Sequence, residues 1–186
     1  MILLYDTAIR IAELLELKIS SLKLTSVPSI HIHGKGDKER SVSITDATVS
    51  HLKKYLRQFH PEMLPDQPLF YTKIKGSIAP MSSGNVSRII NKYADAIRSE
   101  HPNLPKHLHC HMFRRTRATG LYRNGVELEM ISVILGHSST ETTRIYATPS
   151  IEMLEEAMNT ANSTIPDETP EWEENEDELA RICGLR

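Results

Sequence analysis

Apolar positions recur with two different periods along this chain, and the switches between them mark its elements. Over residues 1–17, Leu4, Ile9, Ile11, Leu14, Leu15 and Leu17, with Ala8 and Ala12 as small fillers, predict a helix, above all in the second half, where Asp6 or Thr7 would cap a run from Ala8 to Leu17. The period then drops to two. PSIHIH and ERSVSI alternate apolar and polar residues about GKGD, which predicts a β-hairpin over 28–44. Helical spacing returns at 46–60, where Val49, Leu52, Tyr55, Leu56 and Phe59 share a face. HPEMLPDQP reads as a linker and LFYTK as a short strand. Ser82 or Ser83 then opens a helix to about Glu100, with Val86, Ile89, Ile90, Tyr93, Ala94 and Ile97 turned inward. After a proline-containing loop at 101–110, four helices are predicted. They run from 111 to 123, ending at Asn124-Gly125; from 127 to 135, ending at Gly136; from 139 or 140 to about 148; and from 151 to 162. This order gives an α+β fold, mostly helical, with a small antiparallel β-sheet.

Composition narrows the class. The chain has 186 residues, 39% hydrophobic and 25% charged, enough for one domain with a core. No stretch approaches the roughly 20 apolar residues of a membrane span, and the N-terminus does not read as a signal peptide. Cys110 and Cys183 suggest no disulfide framework, so a cytoplasmic protein is expected. Charge is split. Residues 1–150 carry 20 Lys and Arg against 13 Asp and Glu, a balance of +7; residues 151–186 carry 2 against 11, a balance of −9. A basic body with an acidic tail suits neutralisation of phosphates, and equally suits a solvated surface with a solubilising tail.

Candidate chemistry gathers in His111–Tyr146. This stretch holds His111 and Arg114 in a His-x-x-Arg pair, the corner Leu135-Gly136-His137, and Tyr146 nine residues later. It offers cationic donors for a phosphate beside a nucleophile. Arg10 and Glu13, three apart, share a helix face. Lys35, Lys38 and Arg40 are placed near an exposed hairpin tip. GKGD has no following helix and is not a nucleotide-binding loop. His107, His109, Cys110 and His111 match no zinc spacing, so no metal and no cofactor are expected.

These motifs together resemble the tyrosine recombinases, or phage integrases. TAIRIAELLEL resembles the first arginine box, HIHGKGDKER the hairpin with the catalytic lysine, and HMFRRTRAT with LGHSSTETTRIY the second box. The resemblance implies a catalytic set of Arg10, Lys35, His111, Arg114, His137 and Tyr146. It implies a DNA strand-breaking and rejoining enzyme, a site-specific recombinase whose Tyr146 forms a 3′-phosphotyrosine intermediate without ATP. Arg10 and Arg114 would hold the non-bridging oxygens, His111 accept the tyrosine proton, His137 donate to the phosphate, and Lys35 protonate the departing oxygen.

Partners implied by the resemblance are double-stranded DNA and further copies of the chain, a dimer or tetramer docked through the C-terminal segment. The domain reading is a catalytic domain at 1–163 and an acidic tail at 164–186. No segment matches the additional N-terminal domain of family members. Three residues depart from the family pattern: Ala8 stands for a usual Gly, tolerable with a negative φ, and Arg115 and Gly120 stand for frequent His. Other readings remain open at this level. Tyr146 can be a packed core tyrosine and His137 a turn residue. The helices flanking Gly136 can form a helix-turn-helix, which would make the chain a non-catalytic DNA-binding protein or an inactive recombinase fragment.

Overall fold

Helices α1 (Ile2–Thr7) and α2 (Ile11–Glu16) replace the single helix expected within 1–17. In the computed structural model, which describes residues 1–34, 38–162 and 181, the break is at Ala8, with φ 50° and ψ 26°. Arg10 is extended and serves as the N-cap of α2. The negative φ that would make an alanine harmless is not adopted, and a left-handed alanine costs about 1–2 kcal/mol. A tertiary contact opposes this cost: the Ala8 carbonyl accepts a hydrogen bond of 2.7 Å from Arg114. No Gly or Pro marks the break, so periodicity alone runs through it.

The hairpin forms as expected. Strand β2 (Ser29–Gly34) pairs antiparallel with β3 (Lys38–Ser43), Ile32 opposite Arg40 and His33 opposite Glu39. A two-residue strand, β1 (Leu22–Lys23), adds to the other edge of β2. Opposed residues share a face. Ile30, Ile32 and Val42 are therefore buried, and Arg40 joins their side. His31, His33, Glu39 and Ser41 share the other face. The turn that carries Lys35 lies outside the described residues.

Helix α3 (Asp46–Phe59) is capped by the Thr45 hydroxyl, which accepts from the Thr48 amide. Buried Asp6 accepts from both the amide and the hydroxyl of Thr45, at 2.8 and 2.9 Å, and so ties α1 to the start of α3. Strand β4 (Tyr71–Ile74) turns back through Lys75 and Gly76, both at positive φ, into β5 (Ser77–Pro80), a second hairpin strand absent from the sequence reading.

Ser82 caps α4 (Ser83–Ile97). Only its row Val86, Ile90 and Ala94 is buried; Ile89, Tyr93 and Ile97, expected inward, are exposed. One i, i+4 row meets the core, and the adjoining row lies over its edge. Arg98 donates to the carbonyls of Leu104, Pro105 and Lys106, which folds the 101–109 loop against the end of α4.

Helices α5 (Cys110–Arg123) and α6 (Leu128–Leu135) match expectation, with Gly125 at φ 77° and Gly136 at φ 62° after them. Helix α7 is shorter than expected, only Glu141–Arg144. The chain then tightens, the Tyr146 amide bonding the Thr143 carbonyl. Both side chains are buried, which draws this segment inward. Leu3, Leu14, Ile30, Ile32, Leu52, Leu56 and Ile90 belong to the larger core. A smaller one comprises Ala8, Ala118, Ile131, Leu135 and Tyr146.

All of this lies in one compact unit, Met1–Thr148; a second unit is Pro149–Arg186. Within the second, α8 (Ile151–Asn162) exposes Ile151, Leu154 and Met158 at helical spacing. The acidic tail lies outside the described residues except for Arg181. Among the described residues no helix is long and apolar enough to cross a membrane.

Candidate active site

The C-terminus of α6 organises the site. The last carbonyls of a helix lack intrahelical donors and carry its negative dipole end, so cations collect there. Three successive carbonyls each accept from a different arginine. Arg40 Nε bonds Ile134 O at 3.2 Å, Arg114 Nη2 bonds Leu135 O at 2.7 Å, and Arg10 Nη2 bonds Gly136 O at 3.3 Å. The three come from β3, α5 and the α1–α2 break, and so join segments far apart in sequence.

Glu13 locks two of them. Its carboxylate accepts from Arg40 Nη1 and Nη2 at 3.1 and 2.8 Å, a bidentate pair, and from Arg10 Nη1 at 2.9 Å. Burial alone would raise the Glu13 carboxyl; hydrogen bonds from Arg40 and Arg10, with the Arg40 charge, outweigh it and hold the group down at about 2. Arg40 keeps only 11% of its side chain exposed, whereas Arg10 keeps 41%. Arg10 is thus the arginine open to an incoming anion. Gly136 is required at this corner. A Cβ there would lie 2.7 Å from Arg40 Nη1, and the backbone has positive φ.

Arg114 is 2% exposed. Burial first, then the neighbouring Arg10 charge, pulls its guanidinium down to about 10, still charged at neutral pH. Its Nη2 lies 2.9 Å from His137 Nε2. A guanidinium can only donate, so Nε2 accepts and the proton sits on Nδ1, 2.9 Å from Thr143 Oγ1. Burial, then the charges of Arg114, Arg10 and Arg40, pull His137 down to about 4. His137 is therefore a neutral imidazole here, donating to Thr143. In this arrangement its outward nitrogen is occupied by Arg114, so it offers no free donor.

Tyr146 is 4% exposed and packs in the smaller core, its ring 19° from parallel to His137 with centroids 6.3 Å apart. It packs there with Ala118 of α5 and Leu135 of α6, the two helices that also carry Arg114 and the carbonyl it binds. His111 is exposed on the first turn of α5, close enough to His137 to help depress it. Arg10, Gly34, Arg40, Gly136 and His137 line a cleft of about 600 Å³.

The domain that carries these residues matches a known group. A family model described as the phage integrase family matches residues 1–153.

The chain belongs to the phage integrase family, the tyrosine recombinases.

It is 40% identical over 145 residues to a tyrosine recombinase of Agathobacter rectalis, which covers 77% of this chain and 44% of that protein. It is 33% identical over 162 residues to the tyrosine recombinase XerC of Rickettsia bellii, covering 87% and 50%. The crystal structure of XerA recombinase superposes with a TM-score of 0.67 at 30% identity, covering 87% of this chain and 54% of that one. That of XerH site-specific recombinase bound to palindromic difH substrate gives 0.65 at 30% identity, covering 87% and 44%. The phage integrase chain spans about half the length of the curated relatives it matches.

Of the six residues singled out in the sequence, the structure gathers Arg10, Arg114, His137 and Tyr146 and places His111 nearby; Lys35 falls outside the described residues. Arg40, expected near an exposed hairpin tip, is instead a mostly buried member of the arginine cluster. The signal was present, since Arg40, Val42 and Ile44 share the parity of the inward face. The sequence pattern puts Glu13 beside Arg10 but not beside Arg40, and it does not single out Thr143 or the Ala8 carbonyl, because folding supplies their partners. The four-residue α7, about 6 Å long, is too short for the recognition helix of the helix-turn-helix reading.

Proposed function

We propose that this chain breaks and rejoins DNA strands as the catalytic part of a site-specific recombinase, with residues 1–163 as its catalytic domain. The observation that carries this reading is the convergence of Arg10, Arg40, Arg114, His137 and Tyr146 on the end of α6. A phosphodiester in the cleft meets Arg10, with Arg114 and His137 behind it. Charge grows on the non-bridging oxygens as five-coordinate phosphorus forms, so fixed guanidinium donors act most strongly there. A phenol with an ordinary pKa of about 10 needs a proton acceptor, a role given to His111. The Tyr146 oxygen bonds phosphorus, the 5′ oxygen leaves and takes a proton from Lys35, and a 3′-phosphotyrosine remains. Reversal with another strand's 5′ hydroxyl rejoins DNA without ATP. An arriving phosphate would draw Arg114 away from Nε2 of His137 and let that nitrogen carry a proton toward it.

A nicked suicide duplex carrying the cognate site tests this. The intact chain is expected to form a covalent adduct and Tyr146→Phe none; specific binding by both with no adduct overturns the reading in favour of a DNA reader. Copies of the chain are proposed to associate on DNA through α8, on the evidence of exposed Ile151, Leu154 and Met158. Sedimentation on DNA is expected to show a dimer or tetramer that Leu154→Glu reduces to monomers, and an unchanged mass would sink the idea.

A further inference from the structure

Among the described residues, one group of three side chains is spaced to hold a metal ion, and it lies outside the arginine cluster: His31, His33 and Glu39. Strand geometry puts it there. His31 and His33 are two apart on β2 and so project from one face, away from buried Ile30 and Ile32. Glu39 is the cross-strand partner of His33 and projects from the same face. Its two oxygens are shared between the rings, Oε2 lying 3.2 Å from His31 Nε2 and Oε1 2.9 Å from His33 Nδ1. The ligand atoms all lie within 4.8 Å of one another. Ligands about 2.0–2.1 Å from a tetrahedral zinc ion stand roughly 3.3 Å apart, so small ring movements admit one.

A second feature prepares the site. His31 Nδ1 lies 3.3 Å from Ser41 Oγ, the cross-strand partner of His31, which fixes the ring with Nε2 toward Glu39. Such an outer hydrogen bond commonly orients a metal-bound imidazole. Two imidazoles and a carboxylate form a three-ligand zinc set that leaves a fourth position for water. The rings are half-buried to exposed, so the site is open to an ion from solution.

We propose that His31, His33 and Glu39 form a zinc-binding site that clips β2 to β3 on the face opposite the core. The clip sits two residues before Lys35, and the hairpin is expected to stiffen when zinc binds.

Titration of the full chain with cobalt(II), then zinc, tests this without reference to recombination. One equivalent of cobalt should give the visible absorption of a four-coordinate ion, and zinc should abolish it. His33→Ala and Glu39→Gln should each weaken zinc at least about 100-fold, and Ser41→Ala about 10-fold. All three positions are on the exposed face, and far-ultraviolet circular dichroism checks that the variants stay folded. A triple variant His107→Ala, His109→Ala, Cys110→Ser should bind as the parent does. Absence of saturable zinc binding by the parent overturns the proposal. So does affinity retained in His33→Ala, or affinity lost in the triple variant.

Discussion

At the scale of single residues, three side chains in the arginine cluster are set far from their ordinary ionisation, and two of them, His137 and Glu13, can be read by solution chemistry below neutral pH. His137 is held neutral down to about 4, while in the unfolded chain it takes a proton near its ordinary value. The unfolded state therefore binds more protons between about pH 6.5 and 4, and stability falls as pH drops through that window. Glu13 stays ionised down to about 2, so its own contribution is lost lower, between about pH 4.5 and 2. Urea midpoints measured from pH 8 to pH 2 should fall in two stages. His137→Gln should flatten the upper stage and leave the lower. A midpoint that is level from pH 7 to pH 4 in the parent would show that the imidazole is not held as described. These roles were only partly legible in the sequence. His137 stood out because it follows Gly136 and precedes Tyr146 by a fixed interval. Its tautomer depends on Arg114 and Thr143, which only folding supplies.

Elements whose limits are set locally were legible, and those set by tertiary contacts were not. The β2–β3 hairpin, α3, α5 and α6 carry their own alternation, caps and glycine stops, and formed within a few residues of expectation. The α1–α2 break and the short α7 depend on remote partners, the Arg114 guanidinium for one and the His137 ring and the smaller core for the other. The junction of α2 with β3 is of the second kind, and it can be measured. Arg40 and Glu13 are both nearly buried and meet in a bidentate pair. Glu13→Ala leaves a buried guanidinium without its carboxylate and should cost about 3–5 kcal/mol. Arg40→Ala leaves Glu13 with Arg10 and should cost less. The double variant should fall short of the sum of the singles by on the order of 1–3 kcal/mol in urea unfolding. Strict additivity would mean that this pair does not hold the hairpin to α2. Under the proposed function, loss of Arg40 should also lower cleavage in a suicide-substrate assay, because Glu13 is then left to Arg10 alone and holds it back from the phosphate.

Over the whole molecule, the division of charge sets how the chain meets a polyanion. Residues 1–150 hold a balance of +7, and within 151–186 the segment 164–186 carries 8 acidic and 2 basic groups. Each phosphate neutralised by a Lys or Arg releases condensed counterions, so binding to duplex DNA weakens steeply with salt. A covalently attached acidic segment competes for the same cations at an effective concentration set by its tether, and that competition is itself electrostatic. Removing residues 164–186 should therefore tighten binding to a non-specific duplex by about 10-fold at low salt. The gain should shrink as added salt shortens the Debye length from about 30 Å at 0.01 M to about 8 Å at 0.15 M. Replacing the 8 acidic residues of 164–186 with Asn and Gln should reproduce the effect with the chain length kept. That comparison separates charge from bulk. A tail that tightens binding only when deleted obstructs DNA by its volume, and one whose neutralisation and deletion both leave the affinity and its salt slope unchanged does not compete for the basic body.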